Sequence, residues 1–278
     1  MNLVIIGLGA IGGSFAMSLM KQGDDRIVGV DIDEDTLQLA RDEGYIHEGR
    51  TSPEHVLAEA DMVLLTLYPN QIASFIDQNK DHIKPGAVIT DVTGVKTSLI
   101  HEVERLLPDY VDFVFAHPMR GSEKKGIAGA DEAKFKEANA LITPIPSNKE
   151  ESIKKVEQLY RDAGFKTITR VTPEQHDEQI AYVSQLMHAL SVSVVNSSQA
   201  SPDTLLFAGN SFQELTRIAD INVDLWAELF SKNKHALLES ITSFEEQLSV
   251  FKNALADSDE EELKEFLKKA GHQRREWY

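Results

Sequence analysis

The feature that most constrains this fold is a glycine-rich segment between an apolar run and a helical one. Leu3 to Ile6 is a short apolar run with β-branched members, which predicts a buried strand. The segment GLGAIG, residues 7–12, follows at once, and residues 13–20 have the composition of a helix. A second apolar run, residues 27–30, ends in Asp31. Glycines at this spacing, with an acid about twenty residues on, are typical of a dinucleotide-binding βαβ unit.

Each part of this fingerprint has a physical task. The first glycine permits a tight turn, the second lets the backbone approach a pyrophosphate, and the third lets the helix pack against the strand. The N–H groups at the helix N-terminus then bind the diphosphate. The acid should accept hydrogen bonds from both ribose hydroxyls and repel a 2′-phosphate, which favours NAD over NADP. The alternative is a glycine-rich turn in some other α/β protein. The predicted cofactor-binding residues are Gly7, Gly9, Ile11, Gly12 and Asp31.

Composition excludes several classes of protein. The 278 residues suffice for one large domain or two ordinary ones, and a hydrophobic fraction of 42% supports a packed core. The absence of cysteine excludes a disulfide framework and a thiolate metal site, and no His, Asp and Glu spacing predicts another metal site. A net charge of −17 argues against nucleic acid as a partner. Without a signal peptide or a run of membrane-spanning length, we expect a cytoplasmic protein with no membrane partner.

Alternating apolar and helical segments predict the architecture of the first part of the chain. This alternation is typical of βαβ units and of a mainly parallel sheet. We therefore expect an α/β fold, with a Rossmann-type, doubly wound and mainly parallel sheet in an NAD-binding domain over residues 1–171. Further strands are predicted at Met62–Leu67, Ala87–Thr90, Phe113–Ala116, Ala140–Thr143 and Lys166–Val171.

The pattern changes after Val171. Thr172, Pro173 and Gln175 predict a helix start, with Thr172 as N-cap and Gln175 completing a capping box. No convincing strand is predicted beyond this point, so we expect an all-α domain over residues 172–278, and a helical domain that is apolar on several faces often packs against a second subunit. The predicted helical segments are 174–196, 212–218, 223–256 with allowance for one break, and 260–269.

The clearest chemical candidate is a histidine next to a predicted strand. In the segment AHPMRGSEKKG, residues 116–126, His117 follows a buried strand at a place where residues of an open α/β sheet face the ligand crevice. Hydride removal from a carbinol needs a base, because the proton of the alcohol must leave with the hydride. Imidazole is the side chain best suited to that task near neutral pH. His117 is therefore the candidate catalytic base; the alternative is a turn histidine bonded to backbone.

Other candidates have equally plain structural alternatives. Thr93 could offer its hydroxyl to substrate or nicotinamide, or Thr93 or Thr97 could cap the following helix. His188 lies among apolar helix residues, where a histidine is more often a core residue than a ligand, and His176 is as readily structural. Arg217 is a cation in an otherwise apolar helix, a setting in which arginine pairs with a carboxylate of substrate or protein.

Together these motifs resemble those of the prephenate dehydrogenase family, which includes arogenate dehydrogenases, over nearly the whole chain. Two blocks are specific: AHPM-x-GSEK-x-G at residues 116–126 and F-x-x-x-TRIA at 212–219. The others are G-x-G-x-x-G at 7–12, DVTGVK at 91–96, and His176-Asp177 with His188 twelve residues after His176.

The resemblance implies oxidative decarboxylation of prephenate to 4-hydroxyphenylpyruvate, with reduction of NAD, in a homodimer built through the helical domain. It implies that His117 is hydrogen-bonded to the ring hydroxyl, that Arg217 binds a carboxylate and that His188 contacts the side chain of the substrate. It also implies a polar gate that contains Glu123 near Arg217, and it places Ser122 in the substrate-binding set.

Two positions depart from the pattern of the family. The family often has serine where Gly94 stands, and only the neighbouring Thr93 could replace its hydroxyl. The usual S-H-L-P-H is Ser-Gln-Leu-Met-His at residues 184–188, so only the second histidine is present.

Three alternative functions stay open at this point. An arogenate dehydrogenase has the same fold and reaction, with an amino group on the substrate's side chain. A β-hydroxyacid dehydrogenase shares the N-terminal fold but uses a lysine in the first long helix of its second domain, and residues 174–196 contain none. A redox-sensing NAD module that acts through a partner protein would not require His117, His188 and Arg217 together.

Overall fold

One sheet organises the first part of the chain in the computed structural model, which describes residues 1–23, 25–121, 126–197 and 202–277. Its strands are β1 Asn2–Ile6, β2 Arg26–Val30, β3 Glu48–Arg50, β4 Met62–Leu65, β5 Val88–Asp91, β6 Asp112–Pro118, β7 Asn139–Thr143 and β8 Thr167–Arg170. Across the described ranges their order is β3-β2-β1-β4-β5-β6-β7-β8, and neighbours are parallel except for β6 and β7. The order reverses between β1 and β4, so the ligand crevice lies outside the carboxyl ends of these strands.

Both faces of the sheet are covered, as its apolar runs predict. Successive residues of β1 alternate between two hydrophobic clusters: Leu3 and Ile5 belong to one, Val4 and Ile6 to the other. A strand buried on both faces is typical of a doubly wound α/β sheet, so the predicted fold class is confirmed. The helices of this part are α1 Ala10–Gln22, α2 Glu34–Asp42, α3 Glu54–Leu57, α4 Pro69–Asn79, α5 Thr97–Val103 and α6 Glu150–Asp162.

The rest of the described chain is helical. The predicted capping box is present at its start: Thr172 Oγ1 accepts a hydrogen bond from Gln175 N, and Gln175 Oε1 accepts one from Thr172 N, both at 3.2 Å. The predicted break within residues 223–256 falls at Asn233. The helices are α7 Pro173–Ile180, α8 Leu186–Ser197, α9 Asn210–Arg217, α10 Val223–Lys232, α11 Lys234–Ala256 and α12 Glu260–Trp277, with a π-helical turn, Ala181–Gln185, between α7 and α8.

Two details of the sheet differ from the sequence-based expectation. Strand β3 was not predicted, because its three residues, Glu-Gly-Arg, carry no apolar pattern and pair only with β2 at the edge. His117 was expected after a strand but lies within β6, which continues to Pro118 because β7 pairs with it as far as that residue.

Polar contacts join the helical part to the sheet. Glu228 Oε2, on α10, accepts a hydrogen bond from Asn70 N at 3.0 Å. Lys232 Nζ, at the end of the same helix, lies 2.7 and 2.9 Å from the carboxylate oxygens of Glu102. The helix therefore rests against α4 and α5, next to the carboxyl ends of the central strands.

In the described ranges, no helix combines the length and apolar character needed to cross a membrane.

Candidate active site

The glycine-rich loop has the geometry of a cradle for a diphosphate. Gly7 has φ +91°, a left-handed conformation that favours glycine, and its N–H donates to Val30 O at 2.8 Å. A Cβ on Gly12 would lie 2.0 Å from Gly7 O, so this close approach of helix and loop requires glycine. A Cβ on Gly9 would meet no atom within 4 Å, and no side chain caps α1 at this residue. The backbone at the start of α1 is therefore open to a ligand.

The acid at the end of β2 is fixed against this loop. Asp31 Oδ2 accepts a hydrogen bond from Leu8 N at 2.7 Å, and Asp31 Oδ1 accepts one from Asp33 N at 3.0 Å. Ile11 lies in the first turn of α1 and packs against the core. A carboxylate held beside an open helix N-terminus fits the ribose and diphosphate of a dinucleotide.

His117 begins a chain of hydrogen bonds that connects the sheet to the helical part. Its Nδ1 lies 2.9 Å from Nε2 of His176, and Nδ1 of His176 lies 2.8 Å from Oδ1 of Asp177. The carboxylate of Asp177 also accepts backbone N–H bonds from Lys96 at 2.9 Å and Thr97 at 2.8 Å. We call His117, His176 and Asp177 the relay.

The relay defines which nitrogen of His117 carries a proton. An ionised carboxylate only accepts hydrogen bonds, so Nδ1 of His176 must donate to Asp177. In a neutral imidazole the other nitrogen is then an acceptor, so His176 Nε2 accepts from His117 Nδ1. His117 Nε2 is left with its lone pair. A Cβ on Gly94 would lie 3.5 Å from this nitrogen, so Nε2 faces Gly94 at the carboxyl end of the sheet.

Burial and charge keep the two histidines neutral. Burial lowers the pKa of His117 well below 6.5, and the neighbouring His176 and Lys96 lower it further. Burial also lowers the pKa of His176, although its hydrogen bond to Asp177 opposes that effect. For Asp177, burial raises the pKa, but the hydrogen bonds from His176 and Thr97 outweigh it and hold the pKa below its usual value. The relay therefore consists of two neutral rings and one anion.

A buried ion pair lies beside the relay. Lys96 is fully buried, and its Nζ lies 2.7 Å from Asp91 Oδ2, 2.7 Å from Ala116 O and 3.1 Å from Thr93 Oγ1. The Thr93 hydroxyl lies 2.5 Å from Asp91 Oδ2 and 3.0 Å from Val95 O. It is thus committed to this network, and its predicted catalytic contact with substrate or nicotinamide stays a prediction.

The cap of α5 differs from the expectation. Neither Thr93 nor Thr97 caps this helix with its side chain. Asp177 of α7 does so instead, through its bonds to Lys96 N and Thr97 N. The alternative in which the side chain of Thr93 or Thr97 caps α5 is therefore not observed, because a carboxylate eighty residues away satisfies the first N–H groups.

The helical part contributes His188 and Arg217. His188 Nδ1 lies 2.9 Å from the carbonyl oxygen of Ser184, and its ring stacks on Trp226 at 3.7 Å between centroids. Arg217 is the exposed last residue of α9, a helix joined to α8 by a 2.7 Å bond from Ser191 Oγ to the carbonyl oxygen of Leu215. The other predicted substrate-binding residues, Ser122 and Glu123, lie outside the described residues.

The glutamine that departs from the S-H-L-P-H pattern has a structural task. Gln185 is buried, and its Nε2 donates to Leu229 O at 3.2 Å. Asn233 Nδ2 lies within hydrogen-bond distance of both Gln185 Oε1, at 2.9 Å, and Asp177 O, at 2.8 Å. This network connects the break between α10 and α11 to the helix that bears the relay.

Sequence reasoning missed the functional context of three residues. From the sequence, His176 is as readily structural, Asp177 is only part of a motif, and Lys96 has no assigned role. The available signal was local: a His-Asp pair just after a strong capping box, and an acid and a lysine five residues apart around a strand end. Nothing local indicates that these segments meet at His117.

These features define a class of protein. An open dinucleotide cradle on a doubly wound sheet, a neutral histidine at the carboxyl end of a neighbouring strand and an adjoining helical part are typical of two-part dehydrogenases that use a nicotinamide cofactor.

Comparison with known proteins identifies the family within that class. Residues 15–169 match the family model of the prephenate dehydrogenase nucleotide-binding domain, and residues 172–269 match that of the prephenate dehydrogenase dimerization domain. The chain is 27% identical to a prephenate dehydrogenase from Bacillus subtilis (strain 168), over 97% of this chain and 74% of that protein. The chain therefore belongs to the prephenate dehydrogenase family, as its motifs predict.

Solved structures show the same similarity. Prephenate dehydrogenase from A. aeolicus, solved with hydroxyphenyl propionate and NAD+, is 30% identical and superposes with a TM-score of 0.91 over 100% of this chain and 98% of that one. Arogenate dehydrogenase from Synechocystis is 25% identical, with a TM-score of 0.85 and complete coverage of both chains. The nucleotide-binding family model and the NAD+ complex support NAD as the cofactor.

Proposed function

We propose that this protein oxidises prephenate with NAD and releases carbon dioxide and 4-hydroxyphenylpyruvate. The observation that carries the proposal is the state of His117: a neutral imidazole whose Nδ1 donates into the relay and whose Nε2 keeps its lone pair at the carboxyl end of the sheet. A base in that state is what removal of a ring hydroxyl proton requires.

The chain's own residues account for the proton and for alignment. His117 Nε2 accepts the hydroxyl proton of the cyclohexadienol. The resulting imidazolium is stabilised because its Nδ1–H points at His176, which in turn donates to the Asp177 carboxylate. The loop of residues 7–12 and Asp31 would hold NAD, which would accept the hydride from the carbinol carbon. Loss of carbon dioxide makes the ring aromatic, which renders the step effectively irreversible.

The charge of the substrate assigns a role to Arg217. Prephenate is a dianion, and a protein of net charge −17 repels it unless the site creates a local positive field. Arg217 ends the helix packed against α8, which carries His188. We assign Arg217 to a substrate carboxylate and His188, with its ring held by Trp226, to the substrate's side chain.

The deciding experiment measures NADH formation with prephenate and with arogenate in parallel, at saturating NAD. We expect a higher kcat/KM for prephenate, and little turnover with NADP because Asp31 repels a 2′-phosphate. A preference for arogenate would move the assignment to the amino substrate, and no turnover of either compound would refute it.

We also propose that the helical part forms a homodimer. It matches a family model for dimerization. It also exposes large apolar side chains, among them Leu205, Leu206 and Phe207 at 70%, 81% and 87%. Exposed apolar clusters of this kind mark contact surfaces. Light scattering after gel filtration should give twice the 31.0 kDa mass of the chain, and Leu206→Glu should shift the species toward the monomer. A monomeric wild-type protein would overturn this proposal.

A further inference from the structure

Hydrogen bonds fix His117 at two places, its backbone and its ring. Lys96 takes part in both sets of hydrogen bonds. On the backbone side, Lys96 Nζ donates to Ala116 O, the carbonyl immediately before His117, at 2.7 Å. The N–H of Ala116 donates to Asp91 Oδ1 at 3.0 Å, and Asp91 Oδ2 is the carboxylate partner of Lys96. Both peptide groups that flank Ala116 are therefore fixed by the buried ion pair.

On the ring side, the chain of hydrogen bonds begins at the backbone N–H of Lys96, which donates to Asp177 Oδ1. The same oxygen accepts a hydrogen bond from His176 Nδ1, and His176 Nε2 accepts one from His117 Nδ1. The side chain of Lys96 thus fixes the strand that carries the base, while its main chain fixes the group that orients the ring.

We propose that Lys96 is the positioning residue of His117: it fixes the backbone before the histidine and the far end of the relay in one frame. The inference rests on the proposed function in treating His117 as the base. A frame of this kind matters because alignment errors of about 1 Å cost on the order of a hundredfold in rate. The lysine itself is fully buried, so it acts through His117.

The charge of Lys96 has a second consequence for the base. Among the described residues, the charged or titratable groups that act on His117 are His176 on α7 and Lys96 before α5, and Asp177 and Asp91 are their hydrogen-bond partners. The Cβ position of Gly94 lies 3.5 Å from His117 Nε2 and 3.5 Å from the apolar Leu229 Cδ2. A buried ammonium close to the ring disfavours the imidazolium, so its removal raises the pKa of His117.

The test compares Lys96→Met, which removes the side-chain hydrogen bonds and the charge, with Lys96→Gln, which keeps a side-chain donor without the charge; both variants keep the main-chain N–H that donates to Asp177. Lys96→Met should lower kcat by about 10- to 100-fold and leave the KM for NAD unchanged. Both variants should move the acid limb of the kcat/KM profile to higher pH, and Lys96→Gln should lose less kcat. An unmoved acid limb in folded variants would overturn the proposal.

The matched control is Lys232→Met. Lys232 also bridges the two parts of the chain, through its ion pair with Glu102, but it does not touch the relay. It should leave the acid limb where it is. Melting curves show whether each variant folds; if Lys96→Met does not, Lys96→Gln decides the question because it keeps a hydrogen-bond donor at the site.

A double-mutant cycle separates positioning from a merely structural role. In a His117→Asn background, Lys96→Met should change kcat by less than about twofold, because the group that Lys96 positions is already gone. A loss as large as in wild type would show that Lys96 acts elsewhere and would overturn the proposal.

One further measurement does not depend on the proposed function. The ring signal of His117 in ¹³C-histidine-labelled protein, identified as the one lost in His117→Asn, should titrate at higher pH in both Lys96 variants. If that shift occurs while His117→Asn turns over prephenate normally, the proposed function fails and the positioning of His117 stands. If the midpoint does not move, the positioning proposal fails alone.

Discussion

The dinucleotide cradle and the relay are two sites at the same edge of the sheet, and they are built in opposite ways. The cradle comes from one stretch, residues 7–31, and its work is done by backbone: a left-handed Gly7, an open Gly9 and a Gly12 with no room for a Cβ. The relay and the Asp91–Lys96 ion pair beside it are assembled from residues 91–97, 116–118 and 176–177, and their contacts with one another are made largely by side chains. The first site is therefore local in sequence, whereas the second exists only after the helical part has docked.

This contrast predicts that the relay is most sensitive at His117, the end that we propose contacts substrate. His117→Asn keeps a hydrogen-bonding group of similar size but cannot take the proton, so kcat should fall by about 10²- to 10⁴-fold. Steady-state kinetics with prephenate and NAD measure this, and the KM for NAD should hardly change. His101→Asn, an exposed histidine on α5, is the control. Near-normal turnover by His117→Asn would remove the residue from proton transfer.

The next largest effect should be on the KM for prephenate, through a residue that belongs to neither the cradle nor the relay. Arg217→Ala removes a charged hydrogen bond to a carboxylate, which costs about 2–4 kcal/mol, or roughly 30- to 1000-fold in the KM for prephenate. Since the cradle is untouched, the KM for NAD should not move. Arg161→Ala, on the exposed side of α6, controls for loss of a surface cation. If the KM for prephenate were unchanged in Arg217→Ala, the carboxylate must bind elsewhere.

At its inner end the relay should be sensitive to a change of one atom. Asp177→Asn keeps the shape but can offer an N–H to His176, which would reverse the tautomer of His176 and leave His117 Nε2 protonated. Because the base is then in the wrong state, kcat should fall by about 10²-fold, comparable to a serious misalignment. The same measurement on Asp109→Asn, an exposed acid, supplies the reference. An unchanged kcat would show that Asp177 does not set the tautomer.

The same contrast explains how much could be predicted from the sequence. The strand-loop-helix fingerprint and the capping box at Thr172 depend on neighbours within a few residues, and the structure confirms them. The sequence allows for one break within residues 223–256 but does not locate it at Asn233. Strand β3 could not be predicted, because its pairing with β2 and not its composition makes it a strand.

The contacts within the relay could not be predicted from the sequence for a related reason. His176 and Lys96 look like ordinary polar residues in their own segments, and only tertiary docking brings one to His117 and buries the other. A sequence pattern can mark such residues, as the His176-Asp177 motif did, without showing what they contact.

The cradle can be tested with a pair of glycines that differ in surroundings. Gly12→Ala places a Cβ against the Gly7 carbonyl, so the free energy of unfolding should fall by about 1–3 kcal/mol even without cofactor. Gly9→Ala meets no protein atom and its backbone suits any residue, so stability should hold while the KM for NAD rises. Melting temperatures and NAD kinetics separate the two effects. If Gly9→Ala bound NAD normally, the open space at Gly9 would not be the pyrophosphate position.

The smallest effect should be the pH dependence of stability that results from protonation of His117 and His176. Burial lowers the pKa of both His117 and His176 below 6.5, so between that pH and their lower folded values the unfolded chain binds more protons than the folded one. The contribution of these two histidines to the free energy of unfolding is therefore complete above about pH 6.5. It declines as pH falls, by at most about 1.4 kcal/mol per group and pH unit. For a chain of this size that is a few degrees in melting temperature.

Melting temperatures between pH 7 and 5 would show this decline, and His176→Asn should reduce its slope because one of the two proton-binding differences is gone. The cradle contains no histidine, so Gly9→Ala should keep the wild-type slope. An equal slope in wild type and His176→Asn would mean that His176 is as easily protonated in the folded chain as in the unfolded one. Below about pH 6.5 the tautomer assigned to the relay would then be lost, because an imidazolium at position 176 cannot accept the hydrogen bond of His117.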